Sequence, residues 1–434
     1  MVCRTFTFQS KADWPLLQDM LAGRENPENS VEPAVRDILN AIQTRGDAAL
    51  AEYTARFDCP EFTAAMLPVS AEEIAAAVAC VSAEDMHIIR TAAENIRTFH
   101  EAQKERSWFM TRPDGTVLGQ QVNPVDRAGL YVPGGMGGNT PLISSFLMNA
   151  IPAQVAGVPE IAVVTPPRAD GSVNPHILAA AHVLGITEIY RAGSAWAIAA
   201  LAFGTQTIPA VDVIAGPGNI FVTTAKRLVQ GRVAIDMIAG PSEILIVADH
   251  TARADWVAAD MLSQAEHDSL ASAVLITTEP ELATAVLAEL ERQVATLPRV
   301  DIAVASLRDW SAVVVVPDMD RAIMLANLVA PEHLEVLTES PWDLVGRLRH
   351  AGALFLGPNS PEPVGDYYAG PNHVLPTMGT ARFSSALSVQ TFCKRTSIVA
   401  ASVSFMADHA ASIARLARLE GLEAHARSVE SRGK

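Results

Sequence analysis

Cysteine is scarce and scattered. Cys3, Cys59, Cys80 and Cys393 are the only four in 434 residues, and no two stand in a CxxC spacing. That excludes a disulfide framework and a thiolate zinc cluster, and leaves four small apolar fillers suited to a reducing compartment. No run approaches 18 apolar residues, and the opening MVCRTFTFQSKADWPLL has no basic segment followed by a long apolar core. The expectation is a soluble, cytoplasmic protein with no membrane partner. Lys and Arg form no cluster that would track a phosphate backbone, and the formal charge is −16, so nucleic acid is not an expected partner. Two glycine-rich stretches, YVPGGMGGNTP (131–141) and AGPGNIF (215–221), lead into helical patterns, yet both lack the third glycine of GxGxxG. Free amides at a helix start favour phosphate, but ordinary strand-to-helix turns account for these stretches equally well.

What is present is a large apolar fraction, 49%, over a length that suits two or more packed cores. Residues 30 to 105 show apolar positions at three- and four-residue spacing, and Ser70-Ala-Glu-Glu73 and Ser82-Ala-Glu-Asp85 read as helix starts. SWFM and TVLGQQV, either side of Pro113-Asp-Gly115, predict a hairpin, and the texture changes again near Asn123 to Gly129. From there apolar, β-branched runs (EIAVVTP, TEIYRAG, VDVIAG) alternate with helical segments, and the rhythm resumes after IDMIAGPSEILIVAD with a helix predicted over 253–267. That alternation predicts parallel strands with crossover helices in two α/β units. The last 30 residues are helical in pattern, with little of their own to pack against.

Four segments carry candidate chemistry. In SQAEHDSL (263–270) Gln264 stands three residues before His267, so both side chains lie on one helical face, where they fit either half of a metal site or a solvated helix end. PEHLEV (331–336) sets Glu332 beside His333 at a strand start; imidazole suits proton abstraction near neutrality, and a carboxylate needs a raised pKa or a water to activate. SPEPVGDYYAGPNHVLP (360–376) displays Asp366 and His373 in an irregular loop, and LEGLEAHARS places Glu420 and His425 on the terminal helix. Gln264, His267, Asp366 and His425 together would supply two nitrogens and two oxygens, a set compatible with zinc. Spacing alone does not bring them together.

These segments, with AGLYVPGG, AIAALAFGT, AGPGNIFVTTAKR, APEHLE, GDYYAGPNHVLPT and GTARFSS in order, closely resemble the histidinol dehydrogenase family over most of residues 30 to 430. The resemblance implies a zinc-dependent enzyme that oxidises L-histidinol through L-histidinaldehyde to L-histidine while reducing two NAD, in the last steps of histidine biosynthesis. It implies one Zn2+ per subunit on Gln264, His267, Asp366 and His425, with His333 taking the alcohol proton and Glu332 activating water. Substrate contacts are implied at Ser242, Gln264, His267, His333, Asp366, His373, Glu420 and His425, and NAD contacts at Tyr131, Trp196 and Asn219. It further implies a homodimer in which Glu420 and His425 complete the other subunit's site. The expected fold is two Rossmann-like parallel-sheet domains with helical N-terminal and C-terminal segments. Its expected division is 1–27 as a helical segment, 28–130 with 244–387 as the larger α/β domain carrying most of the site, 131–243 as the second domain, and 388–434 as a helical dimerisation segment. Two departures stand out. YVPGGMGGNTPL carries three more residues than the shorter family pattern, and GSAWAIAA has Trp196 where the family has glutamine, an indole that can stack but cannot accept a hydrogen bond. Alternatives are a paralogue that oxidises another small primary alcohol, or a non-catalytic zinc-binding subunit; retention of both Glu332 and His333 argues against the latter.

Overall fold

The apolar runs that alternate with helices become buried parallel strands. In the computed structural model, which describes residues 3–24, 28–135, 138 and 140–432, two parallel sheets dominate. The six-stranded sheet runs Arg4–Thr7, Ala312–Val315, Ser272–Thr277, Glu243–Ala248, His333–Leu337, Ala353–Leu356. Its central strand EILIVA is buried throughout because helices cover both faces. Ile244, Ile246 and Ala248 enter one cluster with the helices Ala254–Ala265, Pro280–Val294 and Val300–Trp310. Leu245 and Val247 point the other way, toward Leu17, Met20 and the helix Met319–Val329. This is the two-residue period of a strand read out on two helical layers. Each fully buried Leu, Ile or Val contributes on the order of 1.5–3 kcal/mol, so the strand's neighbours are strongly fixed.

The five-stranded sheet runs Ile189–Arg191, Glu160–Thr165, Arg127–Tyr131, Val213–Ala215, Ala234–Ile235, all parallel. Its order reverses between Arg127–Tyr131 and Val213–Ala215, and that is the switch point at which such sheets leave a crevice at their carboxyl ends. Gly216 closes the crevice wall with φ +128°, and a Cβ there would collide with the carbonyl oxygen of Tyr131. Only glycine fits both demands.

The structure redraws the expected division of the chain. Residues 28–105 pack mainly beside the five-stranded sheet rather than on 244–387: the helix Glu28–Arg45 lies on the helices Ser194–Phe203 and Ile220–Val229 that flank one face of that sheet, and Ala83–Glu101 lies on Ile143–Ala156 and Pro175–Leu184 at the other, while also touching Gly365–Ala369. Their apolar stripes join the same clusters as Ala199 of the helix Ser194–Phe203 and the strand residues Ile214, Leu130 and Val163, all fully buried hydrophobics. The terminal segments are also not purely helical. Arg4–Thr7 forms the edge strand of the six-stranded sheet, and Cys393–Ala400 pairs antiparallel with Val117–Pro124, which in turn pairs with Trp108–Thr111 in the expected hairpin. Those short β-branched runs were masked by the helical patterns that follow them. The Ser70 and Ser82 starts are as expected, with each hydroxyl accepting a backbone N–H from the third residue on. Among the described residues all four cysteines are free thiols. Gly216→Ala is expected to lower unfolding stability by about 2–3 kcal/mol, read from the denaturant midpoint; a midpoint equal to that of the native protein would contradict the crowding at the switch point.

Candidate active site

A cleft of about 1300 Å³ separates the two sheets. Its one wall is the amino-terminal edge of the six-stranded sheet: His333 opens its strand in register with Ile244, and Ser242 stands just before the neighbouring strand. The opposite wall is the carboxyl edge of the five-stranded sheet, with Pro217, Gly218 and Asn219. Lining residues bring together Ser242, Gln264, His267, Glu332, His333, Asp366 and His373 from across more than a hundred positions of sequence.

Local structure explains each placement. Gln264 occupies the last turn of the helix Ala254–Ala265, and His267 follows in the turn whose N–H bonds back to the Gln264 carbonyl at 3.2 Å. Ala330 ends the preceding helix in the left-handed region (φ 53°), a conformation costly for a residue with a Cβ, and so directs Pro331-Glu332-His333 into the sheet edge. Met378, with φ 55°, also lines the cleft. Asp366 sits in a single π-helical turn, Gly365–Ala369, so the loop expected to be irregular has a wound centre. His373 spans that loop, with Nδ1 3.0 Å from the Asp366 carbonyl and Nε2 3.4 Å from the Ser145 hydroxyl.

The electrostatics are extreme. Glu332 and His333 are almost wholly buried, at 6% and 3% exposure. The Glu332 carboxylate accepts the Glu243 N–H at 2.8 Å, and His333 Nδ1 lies 3.1 Å from the Glu243 carbonyl. A carbonyl only accepts, so Nδ1 carries the proton and Nε2 is the basic nitrogen. Nε2 faces Asp366 at 3.5 Å and Glu362 at 4.0 Å. Burial pushes Glu332 up to about 8, against the nearby imidazole, and burial together with Asp366 pushes Glu362 up to about 8. Burial opposes charge on His333, yet Glu332, Asp366 and Glu362 hold it at about 10. Asp366, despite its burial, is held down to about 2 by the His333 and His373 imidazoles.

Donor atoms of His267, Glu362 and Asp366 all lie within 4.8 Å of one another, a cluster able to hold a metal ion. Gln264 supports the same reading: it is 1% exposed, and neither its amide oxygen nor its nitrogen has a hydrogen-bond partner. A buried amide left unsatisfied on both atoms is unusual unless something else is meant to engage it. Sequence reasoning missed Glu362; its signal was the spacing of four before Asp366 on a helical turn. His425 and Glu420, by contrast, are exposed on the terminal helices and line no part of this cleft.

The residues expected around a cofactor divide. Asn219 lines the cleft, although its Oδ1 caps the helix Ile220–Val229 by accepting from Phe221 and Val222. Tyr131 is buried, and its hydroxyl accepts the Ser194 N–H at 3.2 Å. Trp196 does not offer a face to the cleft: it is 5% exposed and stacks with Tyr53 and Phe57 at centroid distances of 5.9 and 5.4 Å. The aromatic neighbours supplied by the helix Asp47–Phe57 draw the indole into the core. Met136, Gly137 and Asn139, within the longer glycine-rich loop, lie outside the described residues.

A cleft between two Rossmann-like parallel sheets, with a buried Glu–His pair beside a cluster able to hold a metal ion, is the architecture of an α/β enzyme. The comparisons specify it further. The family model for histidinol dehydrogenase matches residues 22–433. The chain is 76% identical over 432 residues to a histidinol dehydrogenase of Nitratidesulfovibrio vulgaris, covering 100% of this chain and 99% of the relative. It is 70% identical to one of Oleidesulfovibrio alaskensis, covering 100% of each. A crystal structure of histidinol dehydrogenase from Elizabethkingia anophelis superposes with a TM-score of 0.93 at 38% identity, over 99% of this chain and 98% of that one. The chain belongs to the histidinol dehydrogenase family.

The raised pKa values predict a pH response. Glu332, Glu362 and His333 keep their protons to about 8, 8 and 10 in the fold, against roughly 4.3 for Glu and 6.5 for His in the unfolded chain. Asp58 and Asp260, both raised to about 6, act in the same direction. For raised groups the stabilising contribution is full below the unfolded value and is lost as pH climbs through the folded one. Below about 6.5 His100, His267 and His373, which desolvation holds below the ordinary histidine value, oppose this trend. Metal-stripped protein should therefore show a thermal midpoint that falls from about pH 7 to about pH 10 by scanning calorimetry in chelator; a rising midpoint across that window would contradict the protonation pattern.

Proposed function

We propose that the chain is a zinc-dependent, NAD-linked histidinol dehydrogenase, taking L-histidinol through L-histidinaldehyde to L-histidine in the last steps of histidine biosynthesis. The observation that carries the reading is the Glu332–His333 pair, buried and fixed by one strand, facing Gln264, His267 and Asp366 across a cleft that ends at a switch point. Family membership makes L-histidinol the substrate to test first.

Gln264, His267 and Asp366 would hold the zinc, with His425 from a second copy and Glu362 within reach. The ion, when bound, supplies a template that orients the substrate's amine and imidazole. Asn219 on the cleft wall, with Tyr131 behind it, would hold NAD, which when bound would supply the hydride acceptor for each oxidation. His333 Nε2 takes the alcohol proton. With Asp366 engaged as a ligand, its charge no longer favours the imidazolium, and Nε2 becomes free to act. Glu332, with its carboxyl raised toward neutral pH, is suited to draw a proton from the water that adds to the aldehyde. Burial of the pair keeps bulk water from the reactive aldehyde.

A homodimer with shared sites is part of the proposal, and the C-terminal surface supports it. The helices Val403–Leu419 and Glu423–Glu430 pack chiefly on each other, leaving Val403, Leu416 and Leu419 at 88%, 62% and 66% exposure. The edge strand Trp108–Thr111 is exposed along its length. Such apolar area seeks a covering surface. No helix among the described residues is long and apolar enough to cross a membrane. A cytoplasmic location and the absence of a nucleic-acid partner remain part of this reading, in keeping with the formal charge of −16.

Two experiments test it. With alcohol and aldehyde supplied separately, His333→Asn should lose about 10²–10⁴-fold in alcohol oxidation, and Glu332→Gln a comparable factor mainly in aldehyde oxidation; full activity of both variants on both substrates would refute the division. In the second, inactive His425→Ala and His333→Asn proteins are mixed under subunit exchange. About a quarter of native activity should return, since half the dimers are hybrids with one intact site of two; no recovery despite proven exchange would refute shared sites.

A further inference from the structure

Glu243 touches both members of the catalytic pair through its main chain, its N–H bonding the Glu332 carboxylate at 2.8 Å and its carbonyl receiving His333 Nδ1 at 3.1 Å. Any rotation of the peptide planes around Glu243 therefore moves acid and base together. Those planes are held by the parallel pairing with Ser272 and, in addition, by the Glu243 side chain, which is itself 4% exposed and turned away into the protein. One carboxylate oxygen accepts the Met378 N–H at 3.0 Å, and Met378 holds a left-handed backbone on the cleft wall. The other oxygen accepts from the Arg24 guanidinium in an ion pair whose partners are 1% and 5% exposed.

Arg24 is among the largest fully buried side chains among the described residues. It follows the helix Trp14–Ala22, and its Nε donates to the Leu21 carbonyl at 3.4 Å, so the guanidinium is aimed by the helix end. It lies 219 positions from Glu243 and lines no part of the cleft. A buried ion pair is weak evidence for stability, since apolar side chains of similar size do as well or better. Its location is the informative feature: the pair stands directly behind the one residue that both catalytic groups lean on.

We infer that Arg24 is a positioning residue for the oxidation: through Glu243 it locks the peptide groups that orient the Glu332 carboxylate and the His333 imidazole. This rests on the proposed roles of Glu332 and His333. The planar guanidinium suits the task because it holds a carboxylate in orientation as well as in charge, whereas an ammonium acts as a point charge. Of the implied substrate and metal contacts, Gln264, His267, Asp366 and His373 do not pass through this pair, so binding is largely retained even though Ser242 and His333 adjoin Glu243. The expected signature is therefore a loss in turnover with little change in substrate affinity, because a misplacement of about 1 Å at a reacting group lowers rate on the order of 10²-fold.

The test uses the full-length, metal-loaded enzyme with Arg24→Met, Arg24→Lys and, in the same assays, Glu332→Gln; folding is checked by near-ultraviolet circular dichroism. Arg24→Met should lose about 30- to 100-fold in kcat on L-histidinol, with KM within about threefold of native. Arg24→Lys should recover to within about tenfold of native kcat. If Arg24→Met does not fold, Arg24→Lys carries the test, with a kcat reduced at least about twofold at unchanged KM expected. Folded Arg24 variants with native kcat, or with a loss confined to KM, would overturn the inference while Glu332→Gln remains impaired. Full activity of Glu332→Gln on the aldehyde would instead overturn the reading of the acid–base pair on which the inference rests.

Discussion

Three carboxyl groups and one imidazole share a space from which water is largely excluded, and the arrangement of the surrounding chain answers to that. An isolated charge at such depth carries a heavy desolvation cost, so the groups hold protons they would otherwise release or lean on a partner of opposite sign. Here Asp366 keeps its charge through His333 and His373, and Glu332 and Glu362 keep protons. A cluster balanced in this way is poised toward any added cation. The partnerless amide of Gln264 points to the same demand from the neutral side.

The frame that maintains this cluster uses backbone as much as side chain. Glu243, Ile244 and His333 are held by parallel sheet pairing and by two layers of helices, so the first residues of two neighbouring strands present their free N–H and C=O groups in fixed directions. The site thus lies on the amino-terminal edge of the six-stranded sheet, while the five-stranded sheet contributes its carboxyl edge, the one such folds ordinarily offer to ligands. Two sheets facing each other by opposite ends form a cleft that neither could build alone.

Much of this was legible in the sequence, and the reasons it was or was not are local. Gln264 and His267 could be paired because three residues on a helix is a geometric statement. The Glu332–His333 pair could be placed at a strand start because PEHLEV changes period there. Strand–helix alternation gave the two parallel sheets. The long-range packing was not legible: nothing in the apolar stripes of residues 28–105 says which sheet's helices they join, and they pack mainly on those of the five-stranded one. Arg24 escaped for the same reason, since it acts through a partner distant in sequence, whereas Glu362 had a local signal, its spacing of four before Asp366. Trp196 read as a possible stacking surface, and Tyr53 and Phe57 claim it instead.

The edge strand Arg4–Thr7 pairs with Ala312–Val315, so it has its place in the sheet only when residues some three hundred positions later have emerged. At roughly 5–20 residues per second of synthesis, that is a wait of about 15 to 60 s. During this interval the apolar side chains of Phe8, Leu17 and Met20, destined for the core, have no surface to bury against. The strands of the five-stranded sheet, between residues 127 and 235, are all made within about a hundred positions of one another. The five-stranded sheet can therefore pair before the six-stranded one is complete, and the strand Arg4–Thr7 is among the last to find its place.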